Sequence, residues 1–248
     1  MTAPDNLFDI SGKRILVTGA ARGNGEAIAA GLLRAGAHVS FADVNPMVEE
    51  TVGQYENGNA RAVVLDMTDK KSVDAFLAGT EPFDVLVANA GITRPFSFED
   101  SYWDDTIEVN LSASYRLMLQ VAEGMKSIGG GSIIGITSIS AHLGSAGNPA
   151  YHASKGGLRA VMKGLAADLG AFNIRVNSIC PGYIRTAMTS LSYDQEDQRQ
   201  LIAERTMLGR WGDSSDLVGA CQFLASAASS YVTGSDIFVD GGMVHRGL

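Results

Sequence analysis

Tyr151 and Lys155 stand four residues apart in the stretch GNPAYHASKGG, residues 147–157. On a helix that spacing puts both side chains on one face. A phenol one turn from an ammonium is either a packing and surface pair or an acid/base device. A free phenol has a pKa of about 10, too high for a base at neutral pH. A neighbouring positive charge favours the phenolate and lowers that value. Ser138, thirteen residues earlier in ITSIS, carries a hydroxyl that can hold a substrate oxygen while Tyr151 moves the proton.

A second constellation lies near the N-terminus. TGAARGNG, residues 18–25, follows an apolar run and opens a helical pattern. Gly19, Gly23 and Gly25 allow a tight turn and close approach of backbone to a ligand, and the helix N-terminus offers N–H groups to a pyrophosphate. Asp43 follows Gly25 by 18 residues and ends the next apolar run. A carboxylate there can accept from both hydroxyls of an adenosine ribose and would repel a 2′-phosphate, which favours NAD over NADP. It could also simply cap a strand end. Arg22 in the loop could reach a 2′-phosphate, lie near the pyrophosphate or be solvated. Asp66, with the Met67 backbone beside it, could take the adenine amino group or serve as a helix cap. The small residues of ANAG, 88–91, leave room for a flat ligand.

The elements that must hold these residues follow from hydropathy. Apolar runs at 14–19, 38–43, 61–66, 83–91, 131–138, 174–182 and 236–242 read as strands covered on both faces. Helical patterns at 25–36, 69–79, 103–127, 151–172 and 214–226 separate them. On the last-but-one helix, Leu158, Val161, Leu165 and Leu169 form a packing face. Strand–helix alternation implies an α/β fold, a single-domain, Rossmann-type, doubly wound parallel sheet of seven strands with helices on both faces. The whole chain, 1–248, reads as one domain. Residues 186–210 are long for a connection and are expected to form a substrate loop.

Composition narrows the partners. The chain has 248 residues, a net charge of −8 and no basic cluster, so neither nucleic acid nor an anionic membrane is expected. No apolar run reaches the roughly 20 residues that span a bilayer, and MTAPDNLFDISGKR lacks a signal pattern, so a cytoplasmic location is expected. Cys180 and Cys221 lie in apolar surroundings and read as reduced, buried thiols rather than a disulfide. The two cysteines and four histidines have no metal-ligand spacing, so no metal is expected.

Taken in order, these motifs resemble the short-chain dehydrogenase/reductase family nearly end to end. The family's T-G-x-x-x-G-x-G falls on Thr18–Gly25, its N-A-G on Asn89, Ala90 and Gly91, its helix asparagine on Asn110, its serine on Ser138, its Y-x-x-x-K on Tyr151 and Lys155, and its P-G on Pro181 and Gly182. The resemblance implies NAD(P)-dependent interconversion of an alcohol and a carbonyl. Tyr151 would be the general acid/base, assisted by Lys155 and the positive nicotinamide ring. Ser138 would position the substrate and Lys155 would also bind the nicotinamide ribose. Asn110 would hold a relay water, and Ile184 and Thr186 would contact the nicotinamide amide. It also implies a homotetramer, with the helices at 103–127 and 151–172 paired between subunits. Gly156, Gly157, Ala160 and Gly164 suit either that pairing or packing within one subunit. Two positions depart from the family: Ala88 stands where Asn is usual, and Asn24 where Ile or Leu is usual. Asn24 could bond cofactor or substrate, or act only through its backbone.

Arg94, Ser140, His142, Asn148, Tyr183, Met188 and Trp211 are candidate pocket residues; His142 and Arg94 could meet a carboxylate or sugar hydroxyls. The stretches LGSAGNPAYHASKGGL and LGRWGDSSDLVGACQFLAS look like bacterial sugar, polyol or sugar-acid dehydrogenases of the gluconate 5-dehydrogenase type. The 3-oxoacyl-carrier-protein reductases are also similar, but they usually take NADPH and present a basic patch, against Asp43 and the acidic charge here. A non-catalytic dinucleotide sensor would be expected to lack the tyrosine or the lysine. NAD-linked oxidation of a hydroxyl on a small polyhydroxylated substrate is therefore the expectation.

Overall fold

The computed structural model describes residues 6–55, 58–94 and 96–246, so both ends of the expected 1–248 domain lie outside it. Its main sheet has strands β1 (Arg14–Thr18), β2 (His38–Asp43), β3 (Ala60–Val64), β4 (Val85–Ala88), β5 (Gly131–Ile136), β6 (Ile174–Pro181) and β9 (Asp236–Val239). Their spatial order is β3-β2-β1-β4-β5-β6-β9, and every pairing is parallel. A short separate pair, β7 (Ile184–Arg185) with β8 (Gly212–Asp213), closes the base of the 186–210 segment.

Strand residues alternate between two cores, as a pleated sheet covered on both faces requires. Ile15, Val17, Phe41, Val87 and Ile134 face α1 (Gly23–Arg34) and α9 (Val218–Ala225). Leu16, Leu86, Ile133 and Val176 face α5 (Ser114–Ser127) and α6 (Pro149–Leu169). On α6, Leu158, Leu165 and Leu169 are buried as the spacing predicts, with Met162 beside them and Val161 only partly covered. The order reverses between β1 and β4, so the carboxyl ends of these strands open the crevice where such sheets bind ligands.

The differences from the sequence reading that bear on the site fall at the crevice. β4 stops at Ala88 and β5 at Ile136, which leaves Asn89–Gly91 and Ser138 in loops rather than in strands. Ser138 caps a 3-10 turn, Ile139–Ala141. The long helix at 103–127 is not continuous: α4 (Asp100–Ile107) passes into α5 through a π turn, Glu108–Ala113, that contains Asn110. Short helices α2 (Met47–Val52), α7 (Ser190–Tyr193) and α8 (Glu196–Glu204) were not separated in the pattern, and α3 (Lys70–Ala78) was. No helix among the described residues is long and apolar enough to cross a membrane.

Candidate active site

The glycine loop shows why glycine is needed. Gly19 has φ +67°, and a Cβ there would sit 2.8 Å from the Ala90 Cα. A Cβ on Gly25 would lie 2.0 Å from the Gly19 carbonyl oxygen. Helix α1 starts within this loop, at Gly23, and no side chain caps it. Its first N–H groups and its positive dipole end therefore face the crevice over bare backbone, a cradle that fits a pyrophosphate.

Asn89 and Asn24, both expected at the dinucleotide, also brace this cradle. Asn89 Nδ2 donates to the carbonyls of Thr18 (2.9 Å) and Gly19 (3.1 Å). The Thr18 hydroxyl accepts from the N–H groups of Asn89 and Ala90, both at 3.1 Å. Asn24 uses its side chain: its Oδ1 accepts from the Ser214 hydroxyl at 2.8 Å, which ties the loop to the turn before α9. Arg22 is exposed.

Asp43 is both a strand-end cap and a ribose candidate. One carboxylate oxygen accepts from Ala21 N–H (3.0 Å) and the other from Asn45 N–H (2.9 Å). Each oxygen keeps a second lone pair for a hydroxyl donor. Asp66 accepts from the N–H and the hydroxyl of Thr68, while the cap of α3 is Asp69. Met67 is buried and Asp66 exposed.

The acid/base residues come together where β5 ends. Lys155 is 4% exposed, and its Nζ donates to the Ile136 carbonyl at 2.9 Å. Burial lowers its pKa to about 8. Nζ lies 5.7 Å from the centre of the Tyr151 ring. Burial pushes the Tyr151 phenol up, and a hydrogen bond with Ser138 opposes that rise.

Asn110 is fully buried in the π turn. Its Oδ1 accepts from Ile92 N–H (2.7 Å), and its Nδ2 donates to the Ile92 carbonyl (2.8 Å) and to Ser154 Oγ (3.1 Å). The side chain thus pins the loop after β4 to α6, and these bonds take up its donors. A Cβ on Gly91 would come 3.2 Å from Asn110 Oδ1 and 3.4 Å from Lys155 Nζ, so the loop passes close over both. Pro181 ends β6, and a Cβ on Gly182 would sit 2.7 Å from the Asp240 Cα. Ile184 is buried in β7, and Thr186 caps the next turn within a capping box with Thr189.

The pocket candidates separate. Asn148 is the N-cap of α6: its Oδ1 accepts from Tyr151 N–H (3.3 Å) and the Tyr102 hydroxyl (3.0 Å), and its amide donates to Thr93 Oγ1. Arg94 pairs with Asp105 at 2.5 Å, so its charge is already met. Ser140 donates its N–H to Ser138 Oγ at 3.0 Å. His142 packs edge-on against Phe238, and burial, with Arg159, lowers its pKa. Met188 is half exposed.

Trp211 organises the 186–210 segment rather than lining a rim. It is buried, donates Nε1–H to the Arg199 carbonyl at 2.9 Å, and packs edge-on against Tyr183 and Tyr193. Arg185 and Asp213 join β7 to β8 by a 2.7 Å ion pair. Tyr183 also lines a cavity of about 440 Å³ with Ile184, Thr206, Phe238 and Asp240. Neither Ser138, Tyr151 nor Lys155 lines it, so it is separate from the acid/base cluster. Cys180 and Cys221 are free and buried, and no metal-binding group of His, Cys, Asp or Glu occurs among the described residues.

Comparison with known proteins agrees with this geometry. The family model described as enoyl-(acyl carrier protein) reductase matches residues 19–244. The chain is 38% identical over 250 residues to 5-keto-D-gluconate 5-reductase of Escherichia coli, covering 97% of this chain and 98% of that protein. It is 38% identical over 243 residues to the 3-oxoacyl-[acyl-carrier-protein] reductase of Salmonella typhimurium, covering 95% and 99%. The crystal structure of a gluconate 5-dehydrogenase from Burkholderia cenocepacia in complex with NADP and tartrate superposes with a TM-score of 0.91 at 35% identity, covering 97% and 98%.

Proposed function

The chain belongs to the short-chain dehydrogenase/reductase family, and from that premise we propose that it interconverts a secondary hydroxyl and a carbonyl on a small sugar acid, with NAD as coenzyme. The observation that carries this reading is the meeting of three side chains where β5 ends: Lys155 Nζ lies 5.7 Å from the centre of the Tyr151 ring and holds the Ile136 carbonyl, two residues before Ser138. Gly19, Gly23, Gly25 and the open end of α1 would hold the pyrophosphate, Asp43 the adenosine ribose, and Lys155 the nicotinamide ribose. Bound there, the nicotinamide supplies a hydride acceptor or donor.

Ser138 fixes the substrate oxygen and Tyr151 removes its proton during oxidation. Lys155 supplies positive charge next to the phenolate that forms. That charge is what lets a phenol raised by burial give and take a proton near neutrality. The substrates after which the E. coli and B. cenocepacia relatives are named support a sugar acid. Asp43 supports NAD, although the B. cenocepacia structure holds NADP. The 186–210 segment, held at its base by Trp211, would be the substrate loop.

A 3-oxoacyl-carrier-protein reductase is the second reading, favoured by equal identity to the Salmonella enzyme. The net charge of −8 weakens it, because an acidic carrier needs a basic face. For assembly we propose a homotetramer, with Gly156 and Gly164 of α6 open to a partner helix and Gly157 closed against Leu111 within the subunit. A cytoplasmic location fits this chemistry. Initial rates with NAD and NADP across D-gluconate, its 5-keto derivative, polyols and a 3-oxoacyl thioester test the proposal. Turnover of the thioester alone would select the second reading.

A further inference from the structure

We infer that His152, which follows the acid/base tyrosine in sequence, is a positioning residue that clamps the segment after Ser138 onto helix α6. His152 Nδ1 lies 2.9 Å from the Ser140 carbonyl oxygen. Nε2 lies 2.9 Å from the Ser145 hydroxyl and 3.3 Å from the Ser145 N–H. A carbonyl only accepts and an N–H only donates, so a single arrangement satisfies all three partners: a neutral ring, protonated on Nδ1 and bare on Nε2. The clamp spans both ends of a segment with little else to hold it. Residues 143–147 are exposed, and glycines 144 and 147 have no neighbour within 4 Å of a would-be Cβ. Besides the turn at 139–143, its backbone is tied through Phe96 N–H to the Gly147 carbonyl at 2.9 Å.

Ser140 is the residue whose N–H bonds to Ser138 Oγ. Holding the Ser140 carbonyl therefore fixes the hydroxyl that holds the substrate, and holding Ser145 fixes the rim above it.

This inference rests on the proposed reaction. The test measures KM and kcat for D-gluconate at saturating dinucleotide in wild type, His152→Ala, His152→Asn and Ser145→Ala, with dinucleotide Kd from calorimetry. His152→Ala should raise KM about five- to tenfold, the equivalent of one net hydrogen bond. Its kcat should stay within about twofold and its dinucleotide Kd should not change. His152→Asn should recover part of the lost affinity, because its amide can keep one of the two contacts. Ser145→Ala, on the exposed rim, should raise KM by about twofold even if the His152 variants do not fold. An unchanged KM in His152→Ala or Ser145→Ala, or a dinucleotide Kd weakened in step with KM, overturns the clamp. Tyr151→Phe run alongside separates the two readings: turnover retained there overturns the reaction itself, whereas flat KM values beside an inactive Tyr151→Phe overturn only the clamp.

Discussion

Replacing Lys155 with Met separates what the buried ammonium costs the fold from what it does in the site. The side chain is 4% exposed and its Nζ has one hydrogen bond, to the Ile136 carbonyl. Burial lowers its pKa from 10.5 to about 8. That gap of about 2.5 on the pH scale is worth roughly 3 kcal/mol. The unfolded chain binds the proton more tightly than the folded one, so stability rises with pH across the window. The cost is fully present below about pH 8 and is relieved as pH climbs toward 10.5. At pH 7 it is about 3 kcal/mol, and by pH 10 it has fallen to about 1 kcal/mol.

Met carries no charge, so titrations not coupled to Lys155 cancel in the difference between the two proteins. Its loss of the Ile136 hydrogen bond offsets the gain by about 2 kcal/mol, because that bond is made by a charged donor. The pH dependence of the gap is therefore the sharper readout. Urea unfolding of both proteins without coenzyme at pH 7, 8.5 and 10 measures it. The gap, Lys155→Met minus wild type, should shrink by about 2 kcal/mol from pH 7 to pH 10. A gap that is flat, or that widens with pH, refutes the claim that Lys155 sits in the fold as a desolvated ammonium.

Gly25→Ala places a Cβ 2.0 Å from the Gly19 carbonyl, so the first turn of α1 must move and dinucleotide Kd should weaken by at least about tenfold, read by calorimetry. Asp43→Ser removes the carboxylate at the ribose and should cut the NAD-over-NADP preference in kcat/KM by about tenfold or more. It should also lower stability by about 1–2 kcal/mol, because Ala21 and Asn45 N–H lose a charged acceptor. Asn148→Ala removes the cap of α6 and should cost about 1 kcal/mol, or about 2–4 °C in Tm, with a lower kcat because the same cap holds the Tyr151 N–H.

The sheet was legible in the sequence because a buried strand announces itself by its own residues. RILVT or VLVA must be covered on both faces wherever it sits. The glycine loop was legible for the same local reason: Gly19 needs a positive φ whatever surrounds it. Tyr151 and Lys155 shared a face by helix spacing alone. What sequence reasoning missed depends on partners far along the chain. Asn148 and Arg94 read as free polar groups until Tyr102, Thr93 and Asp105 arrive to occupy them. Asn24 meets Ser214 across 190 positions. The π turn at Glu108–Ala113 leaves the helical hydropathy pattern almost intact, so periodicity alone shows one helix. His152 had a visible signal, an imidazole in the residue after the acid/base tyrosine. Only the folded segment shows Ser140 and Ser145 on its two nitrogens.

The most direct test of the account is hydride transfer by Tyr151→Phe, followed as reduced nicotinamide absorbance over a panel of sugar acids. Removing the phenolic oxygen alone should lower kcat by about a thousandfold, while dinucleotide Kd stays within about threefold of wild type. Turnover within tenfold of wild type in that variant would contradict the assignment of Tyr151 as the proton-transfer group.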